Sequence, residues 1–158
     1  MIALGIDPGT RRVGFGVVER NFGDIKFIAA DIMEIISTED IPALCEIKKQ
    51  ADRIIKKYKP NIIGVERLFF AKNQKTAIAV AQARGVILLA AAEAGIFIKE
   101  YAPNEIKSGI TGYGSADKKA ILKMVQLTLN KPGLTMIDDA SDALAIAIMA
   151  SGERAIGL

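Results

Sequence analysis

Four acidic residues set the chemistry this chain can attempt. Asp7 follows the short apolar run Ile2-Ala3-Leu4-Gly5-Ile6, and Glu66 follows a second one, Ile62-Ile63-Gly64-Val65. Asp139 and Asp142 stand three apart, just ahead of the apolar stretch Ala143 to Met149. That spacing puts both on one face of a helix. Carboxylates brought together raise each other's pKa unless cations neutralise them, so a metal site is the economical reason to gather four. Oxygen donors suit hard cations such as Mg²⁺ or Mn²⁺. Two such ions about 4 Å apart would polarise a water for attack on phosphorus and stabilise a departing 3′ oxygen.

Composition removes the competing chemistries. The chain has no histidine and a single cysteine, Cys45, which excludes internal disulfides, Cys/His zinc sites and histidine acid-base catalysis. Net charge is +3 with a pI near 9.0, which permits a phosphate-rich partner without demanding one. With 158 residues, 51% of them hydrophobic, the expectation is one domain over residues 1–158 with enough apolar material for its core. The apolar runs are broken by Gly, Lys or Asp short of a membrane span, and Ile2 to Ile6 follows no basic leader, so the expected location is cytoplasmic.

The acids need elements to place them. Ile2 to Ile6 reads as a first strand, and the alternation of Val13, Phe15 and Val17 with Gly14, Gly16 and Val18 as a second. A third, Ile25 to Ile32, follows the turn Asn21-Phe22-Gly23-Asp24. Ser37, Thr38 and Asp40 offer caps ahead of Pro42 for a helix carrying Leu44, Ile47, Ala51, Ile54, Ile55 and Tyr58. Lys59-Pro60 ends it, and Asn61 to Val65 is a buried strand. An Ala-rich helix spans Lys75 to Glu93, with Gly95 as its cap, and Ile96 to Tyr101 is a fifth strand. A Gly-rich loop is expected over Gly109 to Gly114, then a helix capped by Ser115 reaching about Leu129, and a last helix from Asp138 to about Ser151. Three consecutive strands followed by alternating units predict an α/β fold, a mixed five-stranded sheet flanked by helices in the ribonuclease-H-like manner.

Asp7 and Glu66 then both end parallel-type strands, where open α/β sheets place their functional crevice. Each acid alone has a plainer role available. Asp7 opens an Asp-Pro-Gly turn, Glu66 suits a surface pair with Arg67, and Asp138 or Asp139 suits a helix cap. Their joint placement favours metal binding over that set of coincidences.

Four segments carry a family resemblance over nearly the whole chain: Gly5-Ile6-Asp7-Pro8-Gly9-Thr10, Glu66-Arg67-Leu68-Phe69-Phe70-Ala71-Lys72-Asn73, Gln82-Ala83-Arg84-Gly85 and Asp139-Ala140-Ser141-Asp142-Ala143-Leu144-Ala145. In this order they resemble the RuvC Holliday-junction resolvases, the crossover junction endodeoxyribonucleases. The resemblance implies a homodimer that resolves four-way junction DNA in recombination and repair by symmetric metal-dependent nicks in two like strands. It makes Asp7, Glu66, Asp139 and Asp142 the catalytic, metal-binding acids, with Mg²⁺, or Mn²⁺ as substitute, at two ions per active site. It also implies work beside a branch-migration complex of the RuvA and RuvB type. Alignment on the Asp139 motif leaves Asp138 as the helix cap, and Arg67 stands where relatives often carry a neutral side chain.

The same resemblance weights the DNA-binding candidates. Lys107 and Lys118 bracket Ser108 to Gly114, whose glycines and following helix start suit a phosphate, and both match family positions linked to DNA binding. Phe69 is matched to a residue that stacks on a base near the crossover; packing of Phe69 and Phe70 as a lid on the core is the alternative. Arg11, Arg12, Lys72, Lys75 and Arg84 are candidates for the same face, whereas Lys56, Lys57 and Lys59 complement a helix C-terminus. The Lys75 to Glu93 helix is read as the dimer contact, with a purely core role as the alternative. Two other functions compete: a nucleotide phosphotransferase fragment of the actin-like or sugar-kinase kind, and a junction-binding protein without nuclease activity. The first lacks a second phosphate loop, and the intact acids argue against the second.

Overall fold

A computed structural model describes residues 1–68 and 74–153. Strands β1 (Ile2–Asp7), β2 (Arg12–Asn21) and β3 (Asp24–Glu34) form an antiparallel meander, followed by α1 (Asp40–Tyr58), β4 (Ile62–Glu66), α2 (Gln74–Glu93), β5 (Phe97–Tyr101), α3 (Pro103–Thr111), α4 (Lys118–Thr128) and α5 (Asp138–Ser151). The sheet order is β3-β2-β1-β4-β5, with β4 parallel to both β1 and β5. This is the expected mixed five-stranded sheet. The β2–β3 turn is a two-residue link with Phe22 and Gly23 both at positive φ, the geometry that matches the twist of a hairpin.

Strand periodicity sorts the side chains onto two faces. Leu4, Ile6, Val13, Val17, Ile63 and Val65 point to one, where α1 contributes Ala43, Ile47, Ala51 and Ile54 and α2 contributes Ala83, Ile87, Ala90 and Ala91. Ala3, Val18 and Ile62 point to the other, beneath α3, α4 and α5. Burial of each large aliphatic side chain here contributes roughly 1.5–3 kcal/mol.

Several local expectations are corrected. Gly109 to Thr111, expected to open a loop, instead close a helix over Pro103–Thr111: Pro103 occupies its first turn, and the Ala102 N–H donates to the Glu105 carboxylate at 2.6 Å. α4 starts at Lys118 and is capped by Asp117, which accepts from the Ala120 N–H at 2.8 Å, rather than by Ser115. α1 begins after Glu39 with no side-chain cap; the Ser37 hydroxyl, expected as a cap, instead donates to the Glu46 carboxylate at 2.9 Å. Asp138 is not a cap either, since Ile137 holds that position and Asp138 is the first helical residue. Finally, Thr76–Glu93 of α2 is long and apolar enough by composition to cross a membrane, against the expectation that every apolar run stops short. Its buried stripe of Ala83, Ile87, Ala90 and Ala91 belongs to the core under the sheet.

Candidate active site

The acids are delivered by strand parity and by glycine. Gly5 and Gly64 pair directly across β1 and β4, as do Ile6 and Val65. Each strand therefore ends in the same three-residue pattern, glycine, buried aliphatic, acid, and the alternation that turns Ile6 and Val65 to the α1 side turns Asp7 and Glu66 to the α5 side. The two carboxylates stand on neighbouring strand ends.

α5 reaches them because the sheet under it has almost no side chains. A Cβ at Gly5 would lie 2.0 Å from the Ala143 carbonyl oxygen, one at Gly16 would lie 2.5 Å from the Leu144 Cα, and one at Gly64 would lie 2.8 Å from Ile146 Cγ2. At Gly14, the partner of Asp7 across β1 and β2, a Cβ would lie 2.0 Å from the carbonyl oxygen of Asp139. The helix answers with its own small residues, Ala140, Ala143, Ala145, Ala147 and Ala150, all buried. Close backbone approach of this kind is a recurrent reason for glycine inside a strand. It seats the first turn of α5 against the end of β1, so Asp139 and Asp142 join Asp7 and Glu66.

Three of the acids, Asp7, Glu66 and Asp142, have their carboxyl pKa raised, in each case first by burial and then by neighbouring carboxylates. Burial, reinforced by the charges of Glu66, Asp142 and Asp139, raises the Asp7 carboxyl from 3.8 to about 8, with Lys118 opposing. Glu66 is raised by burial and by Asp142, and lowered by Lys107 and Lys118. Asp142 is raised by burial and by the neighbouring Asp138 and Asp139, against the pull of Lys118. Cations already bracket the group: Arg12 Nε lies 3.3 Å from Asp139, and Lys118 Nζ lies 3.2 Å from Asp138 and 3.5 Å from Asp142. Burial lowers the Lys118 pKa, but its ion pairs with Asp138 and Asp142 outweigh that and leave it raised.

This donor set fits a divalent cation: all oxygen, half-buried, and with Asp7 so desolvated, beside other carboxylates, that even with Lys118 opposing its pKa is raised to about 8. Among the described residues no three of these acids already converge closely enough to hold an ion between them.

Lys107 and Lys118 both face the acids, though not from a glycine loop. Lys107 projects from α3 and Lys118 from the first turn of α4, and with Glu66, Asp142, Ile106, Ile121 and their neighbours they line a cavity of about 360 Å³. The phosphate-cradle expectation fails in its details. Gly109 lies inside α3 against the Met149 side chain, and the start of α4 is occupied by the Asp117 carboxylate. Phe69 and Lys72 lie outside the described residues, as does the side chain of Lys75. Arg11 is committed to the Ser37 and Thr38 carbonyls. Arg84 turns inward, bonding the Glu66 carbonyl at 3.2 Å and pairing with Glu100. Sequence reasoning missed that inward role, as well as the Arg12–Asp139 and Lys118–Asp138 pairs. The paired Gly-aliphatic-acid strand ends were the readable signal it left unused.

A family model described as crossover junction endodeoxyribonuclease RuvC matches residues 3–150. Proteins of that name from Brachyspira hyodysenteriae and Chloroflexus aggregans are 47% and 46% identical to this chain; each alignment covers 94% of it and 92% and 91% of the relative. Among solved structures, Thermus thermophilus RuvC superposes with a TM-score of 0.84 at 28% identity, covering 94% of this chain and 92% of that one. The same protein in complex with Holliday junction substrate gives 0.86 at 29%, covering 94% and 91%. The yeast mitochondrial resolvase Ydc2 shares the fold at 13% identity and a TM-score of 0.67. The chain belongs to the RuvC family of crossover junction endodeoxyribonucleases.

Proposed function

We propose that this chain is one nuclease domain over residues 1–158 that resolves four-way DNA junctions by paired, symmetric nicks in two like strands, acting inside the cell in recombination and repair. The observation that carries the reading is the joint seating of Asp7, Glu66, Asp139 and Asp142 at one sheet end, with the Asp7 carboxyl pushed to about 8. Those four acids are the metal-binding catalytic set for two Mg²⁺ ions, with Mn²⁺ as substitute. When bound, such ions supply charge neutralisation at the scissile phosphate and an acidified water. Lys107 and Lys118 hold the DNA phosphates beside the acids, and Phe69 stacks on a base near the crossover.

A two-fold junction calls for a two-fold enzyme. On α2 the exposed positions Ile78, Gln82, Gly85, Leu89 and Ala92 recur at alternating steps of four and three, the spacing of a helix–helix seam. Ile78 is 71% and Leu89 53% exposed, an apolar surplus the single chain leaves in water. This stripe is the homodimer contact. A branch-migration complex of the RuvA and RuvB type is the further partner.

The test is cleavage of an end-labelled synthetic four-way junction and a matching linear duplex, with Mg²⁺ or EDTA. Paired Mg²⁺-dependent cuts confined to the junction, and lost in Asp7→Asn, are the expected result. A junction that is bound but uncut with Mg²⁺ and with Mn²⁺ would reduce the protein to a binding role. No binding at low salt would remove the DNA reading altogether.

A further inference from the structure

We propose that Arg84 is a positioning residue for Glu66, clamping the end of β4 to β5 and to α2. This rests on the nuclease reading and deepens it. Arg84 belongs to the Gln82-Ala83-Arg84-Gly85 motif, and its charge alone suggests a DNA contact. The geometry assigns it elsewhere. Its side chain is only 18% exposed, its Nε donates to the Glu66 main-chain carbonyl at 3.2 Å, and its Nη2 is paired with the Glu100 carboxylate.

Both acceptors sit at the last rungs of the parallel pair, where Val65 aligns with Glu100 and Glu66 with Tyr101. After Glu66 the strand is leaving the sheet: its ladder with β1 stops one residue earlier, at Ile6 and Val65, and the Arg67 N–H makes a final bond to the Tyr101 carbonyl at 2.8 Å. The guanidinium is therefore the tie that fixes the peptide carrying Glu66 from the α2 side. A planar fork can satisfy a carbonyl and a carboxylate at once from a fixed direction, which a lysine ammonium cannot reproduce. The requirement for such a tie follows from the chemistry at Glu66, because a misplacement of about 1 Å at a reacting centre can cost about 100-fold in rate. Glu100 acts one step further out, holding the fork at its angle.

The test compares Arg84→Met, Arg84→Lys and Glu100→Gln with the unsubstituted protein. It uses single-turnover junction cleavage at saturating enzyme, junction affinity in EDTA, and Mn²⁺ binding to the DNA-free protein. Arg84→Met is expected to lower the saturated cleavage rate and weaken Mn²⁺ binding about 10- to 100-fold, the scale seen when groups supporting metal ligands are removed, while junction affinity stays unchanged. Arg84→Lys recovers part of the rate, and Glu100→Gln loses less than Arg84→Met. Weakened junction affinity with an unchanged saturated rate would make Arg84 a DNA contact and overturn the proposal, as would unchanged rate and Mn²⁺ binding. Should Arg84→Met fail to fold, wild-type rates in both Arg84→Lys and Glu100→Gln would overturn it equally. An unsubstituted protein that leaves the junction uncut contradicts the nuclease reading instead, so the two failures are distinguishable.

Discussion

Helices α2 and α5 are both dominated by alanine and branched aliphatics, yet the fold treats them in opposite ways. α5 is buried on nearly every side, from Ala140 through Ser151, because the sheet beneath it offers Gly5, Gly14, Gly16 and Gly64 in place of side chains. α2 buries one stripe and leaves Ile78 and Leu89 in water, and among the described residues nothing beyond its chain neighbours and its own helix backbone lies within 4 Å of where a Gly85 Cβ would be. Apolar composition alone thus does not say what a helix is for. In α5 it is the consequence of having to lie flat on a sheet so that Asp139 and Asp142, in its first two turns, meet two strand ends. In α2 it leaves an apolar surplus in water, the face proposed above as the contact with a second copy of the chain.

One methyl group added under α5 should have the largest effect. Gly14→Ala places a Cβ on the Asp139 carbonyl, which cannot swing aside as a flexible side chain would. The expected cost is about 3 kcal/mol, read as a fall of about 6–12 °C in the thermal midpoint, with loss of cleavage as α5 shifts. Unchanged stability would mean that α5 is not seated as described. On α2 a larger insult should do less to the fold: Ile78→Lys with Leu89→Lys is expected to stay within about 0.5 kcal/mol each for the folded monomer while sedimentation shows dimers converted to monomers. A double variant that remains dimeric would move the contact elsewhere. Smallest of all, Gly85→Ala placed in that monomeric double variant should raise stability by about 0.5–1 kcal/mol, because alanine restrains the unfolded chain and no packed neighbour among the described residues obstructs it. A loss there would show that α2 has a neighbour not accounted for.

The same contrast explains what could be read beforehand. Period-two strands, the acid at each strand end and the last helix with Asp139 and Asp142 were plain from residue order, since each rests on a local repeat. α3 was not, because its sequence, Pro103-Asn104-Glu105-Ile106-Lys107-Ser108-Gly109-Ile110-Thr111, carries a serine and a glycine that weaken the helical signal. Its Gly109 answers to Met149 on α5, a tertiary demand invisible in local pattern. Asp138 resembled a cap by type and position, yet it pairs with Lys118 twenty residues away. Charge alone makes Arg84 a candidate for a DNA face, and only the placement of α2 beside β4 and β5 shows that it points inward. Local chemistry named the acids, and long-range packing decided which cations serve them.

On the proposed reading, the seating of α5 gathers Asp7, Glu66, Asp139 and Asp142 into one half-buried group whose charge a cation must offset. Thermal unfolding of the metal-free protein across pH checks this without DNA. Asp7 is raised from 3.8 to about 8, so between those values the folded state holds a proton that the unfolded state has released. The folded state is therefore progressively disfavoured as pH rises through that window, and Glu66 and Asp142, also raised, act in the same direction. The thermal midpoint should fall from about pH 5 to about pH 8, much less steeply in Asp7→Asn, and adding Mg²⁺ or Mn²⁺ should recover the loss in the natural protein but not in that variant. A metal-free midpoint that is flat across this window, or an Asp7→Asn protein that follows the natural one at every pH and responds equally to the ions, would contradict it.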